Sequence, residues 1–286
     1  SQYTDDLNTF SVSFDEADFD ESEYAKLVAD KYGTNHHVIN FSSDDVRDLL
    51  PNLVEHYDDP FADPSMIPMY LVSQVASDHV TVSLSGDGGD ELFGGYTSYK
   101  YYKLVQAQDY YPSLLNNIGY GALKNLDVEL LRKPKAFFEV GMLDDKHKFA
   151  RLMSHLDKDE TQTLTGDNPK EYYDHYAQHY HEDHYLNEAT NIDLHTYLPE
   201  DILTKVDRAA MAHSLESRPP LLDHKLVELA AKIHPSLKRN NGEAKSIFKK
   251  ALADKLPDEI LYREKQGFGV PLQHYFRNDL RALVET

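Results

Sequence analysis

A chain of 286 residues, 41% hydrophobic and 27% charged, has the composition of a globular protein and the length to bury one large core or two modest ones. Its 29 basic and 49 acidic residues leave a net charge of −20, which repels nucleic-acid backbones and anionic membranes and argues against either as a partner. The absence of cysteine excludes a disulfide, a thiolate zinc site or a thiol nucleophile, no apolar run reaches the ~20 residues of a membrane span, and the opening residues do not resemble a signal peptide, so a cytoplasmic setting is expected.

In chain order, residues 9–14 (TFSVSF) form a short β-prone run. Asp20 with Glu23 reads as a capping box, opening a helix through Ala25, Leu27, Val28 and Tyr32 that stops at Gly33. Residues 37–41 (HVINF) predict a second strand. Ser43 can cap the next pattern, whose apolar positions Val46, Leu49, Leu50, Leu53 and Val54 recur at helical spacing, with Pro51 expected to kink or divide it. A loop over 58–64 leads to a helix starting near Ser65. Residues 80–84 (VTVSL) are the clearest strand in the chain. Strands separated by helices predict a parallel sheet with helices on both faces. Beyond about residue 100 strand signals fade, and the patterns over 221–233 and 244–253 predict helices. The expected organisation is α/β: a partial nucleotide-binding layer over residues 1–100, then a mainly helical portion of the same domain over 101–286.

The loop SGDGGDELFGGY, residues 85–96, follows the clearest strand directly. Ligands of open α/β sheets bind beyond the carboxyl ends of strands, and closely spaced glycines expose backbone N–H groups at positions where the chain must turn tightly. Asp87 and Asp90 would repel a bare phosphate, but they suit a hard cation shared with phosphate oxygens, so the loop fits Mg²⁺-nucleotide better than a free anion. The plain alternative is a solvated surface turn. A dinucleotide fingerprint fits poorly, because Glu91 stands at its last glycine position and the loop is too acidic.

That run resembles the second signature of the asparagine synthetase family. The likeness continues in DDPFADPSMIPMY (residues 58–70), LPEDILTKVDRAAMAHSLESRPPLLD (198–223) and YREKQGFGVPL (262–272), in the family's order. The resemblance implies a pyrophosphatase-loop nucleotide-binding α/β fold. It also implies an amidation in two steps: ATP adenylates the side-chain carboxylate of aspartate, and ammonia then displaces AMP. By matching position, Val12, Ser85 and Gly86 would line the AMP site, Asp90 would face Mg²⁺-pyrophosphate, and Asp87 would hold the activated intermediate or an amine. Lys265 matches a lysine that neutralises phosphate charge during adenylation. Glu216 and Arg218 would support the floor of the site or form a purely structural ion pair. Asp63 and Ser65 would border the acceptor pocket, or else end a loop and cap a helix.

Two departures from the family pattern stand out. Its first signature, a Ser-Gly-Gly-x-Asp-Ser loop, does not occur in the sequence, nor does the glutaminase domain that would supply the ammonia. The chain is therefore expected to be a fragment, unable to make asparagine alone, with raw strand edges that invite a homodimer. Its C terminus is expected to be cut as well. His175, His179, His181 and His184 lie with Asp174 and Asp183 in YYDHYAQHYHEDHY; a divalent metal on one helix face competes with a half-buried tyrosine helix whose polar face carries histidines. Rival functions are another carboxylate-adenylating amide synthetase, such as a β-lactam-forming or peptide-cyclising one, and a non-catalytic synthetase-like module.

Overall fold

The computed structural model describes residues 4, 6–58, 61–110, 112–124, 126, 128–166, 168–263, 267 and 269–285. It is mixed α/β, mostly helical, with small parallel sheets. The chain divides into two compact units: Ser1–Gly88 with Glu200–Leu226 and Phe248–Thr286, and Gly89–Pro199 with Val227–Ile247. Among the described residues no helix is long and apolar enough to cross a membrane.

In the first unit, strand β1 (Asn8–Phe14), helix α1 (Ser22–Tyr32) and strand β2 (Asn35–Phe41) form a β–α–β crossover, and the strands pair in parallel from Asn8↔Asn35 to Phe14↔Phe41. Helix α1 ends where expected: Gly33 takes φ 63°, the left-handed region that glycine enters without a Cβ clash, and its N–H bonds Ala29 O. Its start differs. The Asp20 carboxylate accepts from the N–H and hydroxyl of Ser22, and the residue before the helix, Glu21, makes no side-chain cap bond. Helix α2 (Ser43–Tyr57) is capped by Ser42, not Ser43, because Ser42 is the residue in extended backbone; Asp45 completes a reciprocal capping box. Pro51 lies inside α2 without dividing it, where burial of Val46 on one side and Leu53 and Tyr57 on the other holds the helix in place. Helix α3 (Met66–Ser77) follows.

The expected single sheet is instead two separate two-stranded parallel sheets among the described residues. The strand predicted over 80–84 narrows to β3 (Val82–Leu84), which pairs with β4 (Glu216–Arg218) from Val82↔Glu216 to Leu84↔Arg218. Strand β4 lies in the stretch where strand signals had faded; three residues with two charged ends carry too little β pattern to stand out. Val12 and Phe14 of β1 and Phe41 of β2 join Val46, Leu53, Met66 and Ile67 in one core, closed by Val270, Tyr275 and Leu280 from the last segment.

The second unit is helical. Helices Thr97–Gln106, Asp145–Met153, Lys170–Ala177 and Tyr185–His195 meet around Tyr99, Tyr102, Phe149, Tyr173, Tyr176, Leu186 and Ile192. A buried tyrosine needs a partner for its hydroxyl, and two buried acids provide it: Tyr99 donates to Asp193 at 2.7 Å and Tyr102 to Glu188 at 2.9 Å.

Candidate functional site

A cavity of about 360 Å³ opens against β1 in the first unit, within the usual range for a small-molecule site. Val12 lines it together with Phe10 and Phe19, and Arg263, Gly267 and Gly269 join them from the fourth sequence block. Arg263 is fixed there by an ion pair with Glu21 and by stacking 4.9 Å from the Tyr24 ring centroid. Lys265 lies outside the described residues.

Beyond β3, the glycine-rich loop is anchored by its backbone. Ser85 N–H donates to Arg218 O at 3.0 Å, extending the β3–β4 ladder by one residue, and the Ser85 hydroxyl donates to Asp87 at 2.7 Å. Gly88 takes φ 88°, and a Cβ there would fall on the Leu222 side chain, so only glycine lets the loop close against the third block. Around Gly86 the space is open. The structure thus gathers Ser85, Gly86 and Asp87 with Glu216 and Arg218 at one sheet end, while Val12 stands on the other sheet. Glu216 and Arg218 form an exposed ion pair at 2.7 Å; their hydrogen bond holds the Glu216 carboxyl below its usual range and raises the Arg218 guanidinium.

Asp90 belongs to the second unit, in the short helix Gly89–Phe93. Its carboxylate is paired at 2.8 Å with Lys245, a residue that the sequence did not single out. Gly95 makes the pair possible, because any Cβ there would overlap the Asp90 carboxylate and the Lys245 chain. The only sequence signal for this pairing is the second glycine pair after ELF. Among the described residues no group of three or more His, Cys, Asp or Glu side chains converges as a metal site. A hard cation at Asp90 would share that carboxylate with the Lys245 ammonium and draw further ligands from phosphate and water, a donor set that Mg²⁺ accepts.

In the histidine-rich stretch, His175 and His179 have ring centroids 6.2 Å apart and nearly perpendicular, and His179 stacks on His195 at 4.6 Å. His184 caps the helix Tyr185–His195, accepting from Leu186 N–H at 3.3 Å.

A further cluster lies in the first unit. Asp63 accepts from the Ser65 N–H at 2.8 Å, the Ser65 hydroxyl at 2.7 Å and the Lys205 ammonium at 2.5 Å. Ser65 therefore braces Asp63 rather than capping α3, where it makes no cap bond. Burial, then the neighbouring Asp63 carboxylate, pushes Asp201 up to about 7. Burial also works to raise Asp63, yet Lys205 and Ser65 hold it below the usual carboxylate range. Asp201 and Lys205 sit four residues apart inside the LPEDILTKVDR block, which was the available signal for them.

The asparagine synthase family model matches residues 1–286. The chain is 34% identical over 287 residues to "Asparagine synthetase [glutamine-hydrolyzing] 1" of Bacillus subtilis, covering 98% of this chain and 45% of that protein. It is 32% identical over 275 residues to a putative asparagine synthetase of Mycobacterium tuberculosis, covering 95% of this chain and 42% of the relative. Amidase chry2 of Gibberella zeae is 24% identical over 296 residues, covering 93% of this chain and 43% of that protein. The chain thus spans less than half the length of each of these relatives.

Proposed function

The chain belongs to the asparagine synthase family, and from that premise we propose that it serves the ATP-dependent amidation of aspartate to asparagine. The observation that carries this reading is the glycine- and acid-rich loop beyond the carboxyl end of β3, in a chain the family model matches from end to end. The fold assigned on this reading is the pyrophosphatase-loop type, with residues 1–100 as the nucleotide-binding layer and 101–286 as its helical portion.

A carboxylate is a poor electrophile, so the reaction needs an activating step. An oxygen of the aspartate side chain attacks the α-phosphorus of ATP and pyrophosphate leaves. Ammonia then attacks the acyl carbon, loses a proton, and AMP departs with the oxygen. Positioning and charge neutralisation supply most of the rate in such chemistry. Val12, Ser85 and Gly86 are assigned to the AMP portion, Asp87 to the intermediate or the amine, and Lys265 to charge developing on the α-phosphate. Glu216 and Arg218 brace the loop from β4. Asp63 and Ser65, held by Lys205, are assigned to the border of the acceptor pocket. Bound through Asp90 and the phosphates, Mg²⁺ would offset the charge of the departing pyrophosphate. The names of the bacterial relatives point to glutamine as the nitrogen source, hydrolysed to ammonia by a glutaminase domain, and the setting assigned is cytoplasmic.

The test is ATP–pyrophosphate exchange by the natural full-length protein, with aspartate and with alternative carboxylic acids. Aspartate should support exchange best, and Asp90→Asn should abolish it in a variant whose circular dichroism is unchanged. Near-normal exchange by a folded Asp90→Asn variant would remove Asp90 from the metal role. The fungal relative named as an amidase favours a second reading, the same activation with another acceptor; exchange supported better by a different acid would establish it.

A further inference from the structure

A second cavity lies wholly inside the helical unit, with a volume of about 240 Å³, and it plays no part in the reading above. Lys238, at the end of the short helix Pro235–Lys238, lines it. The residue is only 4% exposed, and no described residue offers its ammonium a hydrogen bond or an ion pair. Burial holds the Lys238 ammonium below its usual range. A buried, unpaired ammonium is costly to keep, and a lysine that served only packing could be replaced by methionine or leucine at no such cost.

Three acids line the same cavity: Glu188, Asp183 and Glu91, the last 1% exposed and accepting from the Tyr96 hydroxyl. Glu188 accepts from Asp183 N–H at 2.9 Å and from Tyr102 at 2.9 Å. Asp183, at the exposed rim, is held below the usual carboxylate range by its bonds from the Asn187 amide and the His184 N–H. Asn191 donates to His179 O at 2.7 Å, which orients its amide and leaves its side-chain carbonyl as an acceptor. Leu92, Leu194 and Val227 supply an apolar wall. The cavity thus joins one lysine without a described partner to three acids and an apolar wall.

We propose that this cavity binds a small zwitterion of the α-amino acid class, its carboxylate on Lys238 and its ammonium toward Asp183 and Glu188. A simple carboxylate would meet Lys238 but bring its charge into a cavity lined by three acids, which the ammonium of a zwitterion offsets, and a simple amine would leave Lys238 unpaired. None of the residues assigned to adenylation lines the cavity, and its occupancy does not depend on that assignment.

The experiment is isothermal titration calorimetry on the natural full-length protein, with the twenty standard amino acids in turn and with acetate and methylammonium as single-charge probes. At least one amino acid should bind, with acetate and methylammonium weaker by about tenfold or more, the scale of a lost charge-assisted hydrogen bond. Lys238→Met should weaken that binding by a similar factor. Ala231→Phe, which fills the cavity from an exposed wall position, should do the same and keeps the test decisive if Lys238→Met folds poorly. Binding of aspartate at the proposed acceptor site would survive both variants. The proposal is overturned if no amino acid binds, if acetate binds as tightly, or if every binding event survives both substitutions.

Discussion

Asp90 shows how a residue read from a motif gains a physical setting. An acid among glycines suggests a cation, and the structure sets the Lys245 ammonium against the same carboxylate, beside a backbone position where a Cβ would meet both side chains. Lys265 rests on its place in the REKQGFG block; a lysine that stabilises charge only in the transition state should affect turnover more than affinity. Lys265→Ala is expected to lower kcat on the order of 10²-fold with little change in the Michaelis constant for ATP. A rise in that constant alone would make Lys265 a ground-state binder. Asp193 allows a prediction independent of function. Burial pushes its carboxyl up to about 8, far above its value of about 3.9 in an unfolded chain. The folded protein therefore keeps a proton there that the unfolded chain has lost, and stability falls as pH rises from about 4 to about 8 before levelling off. Asp193→Asn cannot titrate and still offers an oxygen to the Tyr99 hydroxyl. In urea denaturation the variant should gain on its parent by more than about 1 kcal/mol between pH 5 and pH 8; a constant difference across that range would mean that Asp193 is ionised in the core.

At the scale of elements, the first strands and helices were legible because their signals are local. The apolar runs of β1 and β2 lie within the strands observed, and Gly33 ends α1 through a backbone angle that glycine tolerates. Capping was less legible: Ser42 and Ser43 are both good caps by type, and only the dihedral angles of Ser42, extended before the first turn, decide between them. Ser42→Ala should cost about 1 kcal/mol of stability. Ser43→Ala, one residue inside the helix, should fall within about 0.5 kcal/mol of the parent. Chemical denaturation of the two variants reads the difference, and equal losses would contradict the cap assignment. Strand β4 exists because β3 is there to pair with it. Glu216 and Arg218 carry side chains that belong equally well in a loop, and their parallel ladder is a non-local fact.

Across the whole molecule, a net charge of −20 on a chain of this length implies self-repulsion that folding must overcome. Raising ionic strength from about 0.01 M to about 0.15 M shortens the Debye length from about 30 Å to about 8 Å and should raise the melting temperature. A lower melting temperature in sodium chloride would show instead that favourable ion pairs, such as Lys135–Asp157 and Arg151–Glu139, outweigh the repulsion. The homodimer expected from strand edges stays a proposal for light scattering to test; Leu84 of β3, 74% exposed, is one apolar side chain beside such an edge. By itself the sequence determined what short-range chemistry can determine: the family resemblance, the alternation of the first strands and helices, the glycine that ends α1 and the acids of the loop after β3. Only the tertiary structure decided that Asp63 meets Lys205, 142 residues away, that Asp90 meets Lys245, and that Lys238 is buried without a partner among the described residues. Periodicity and turn chemistry report on neighbours a few residues apart, whereas these pairs and this burial form only when distant segments close on one another.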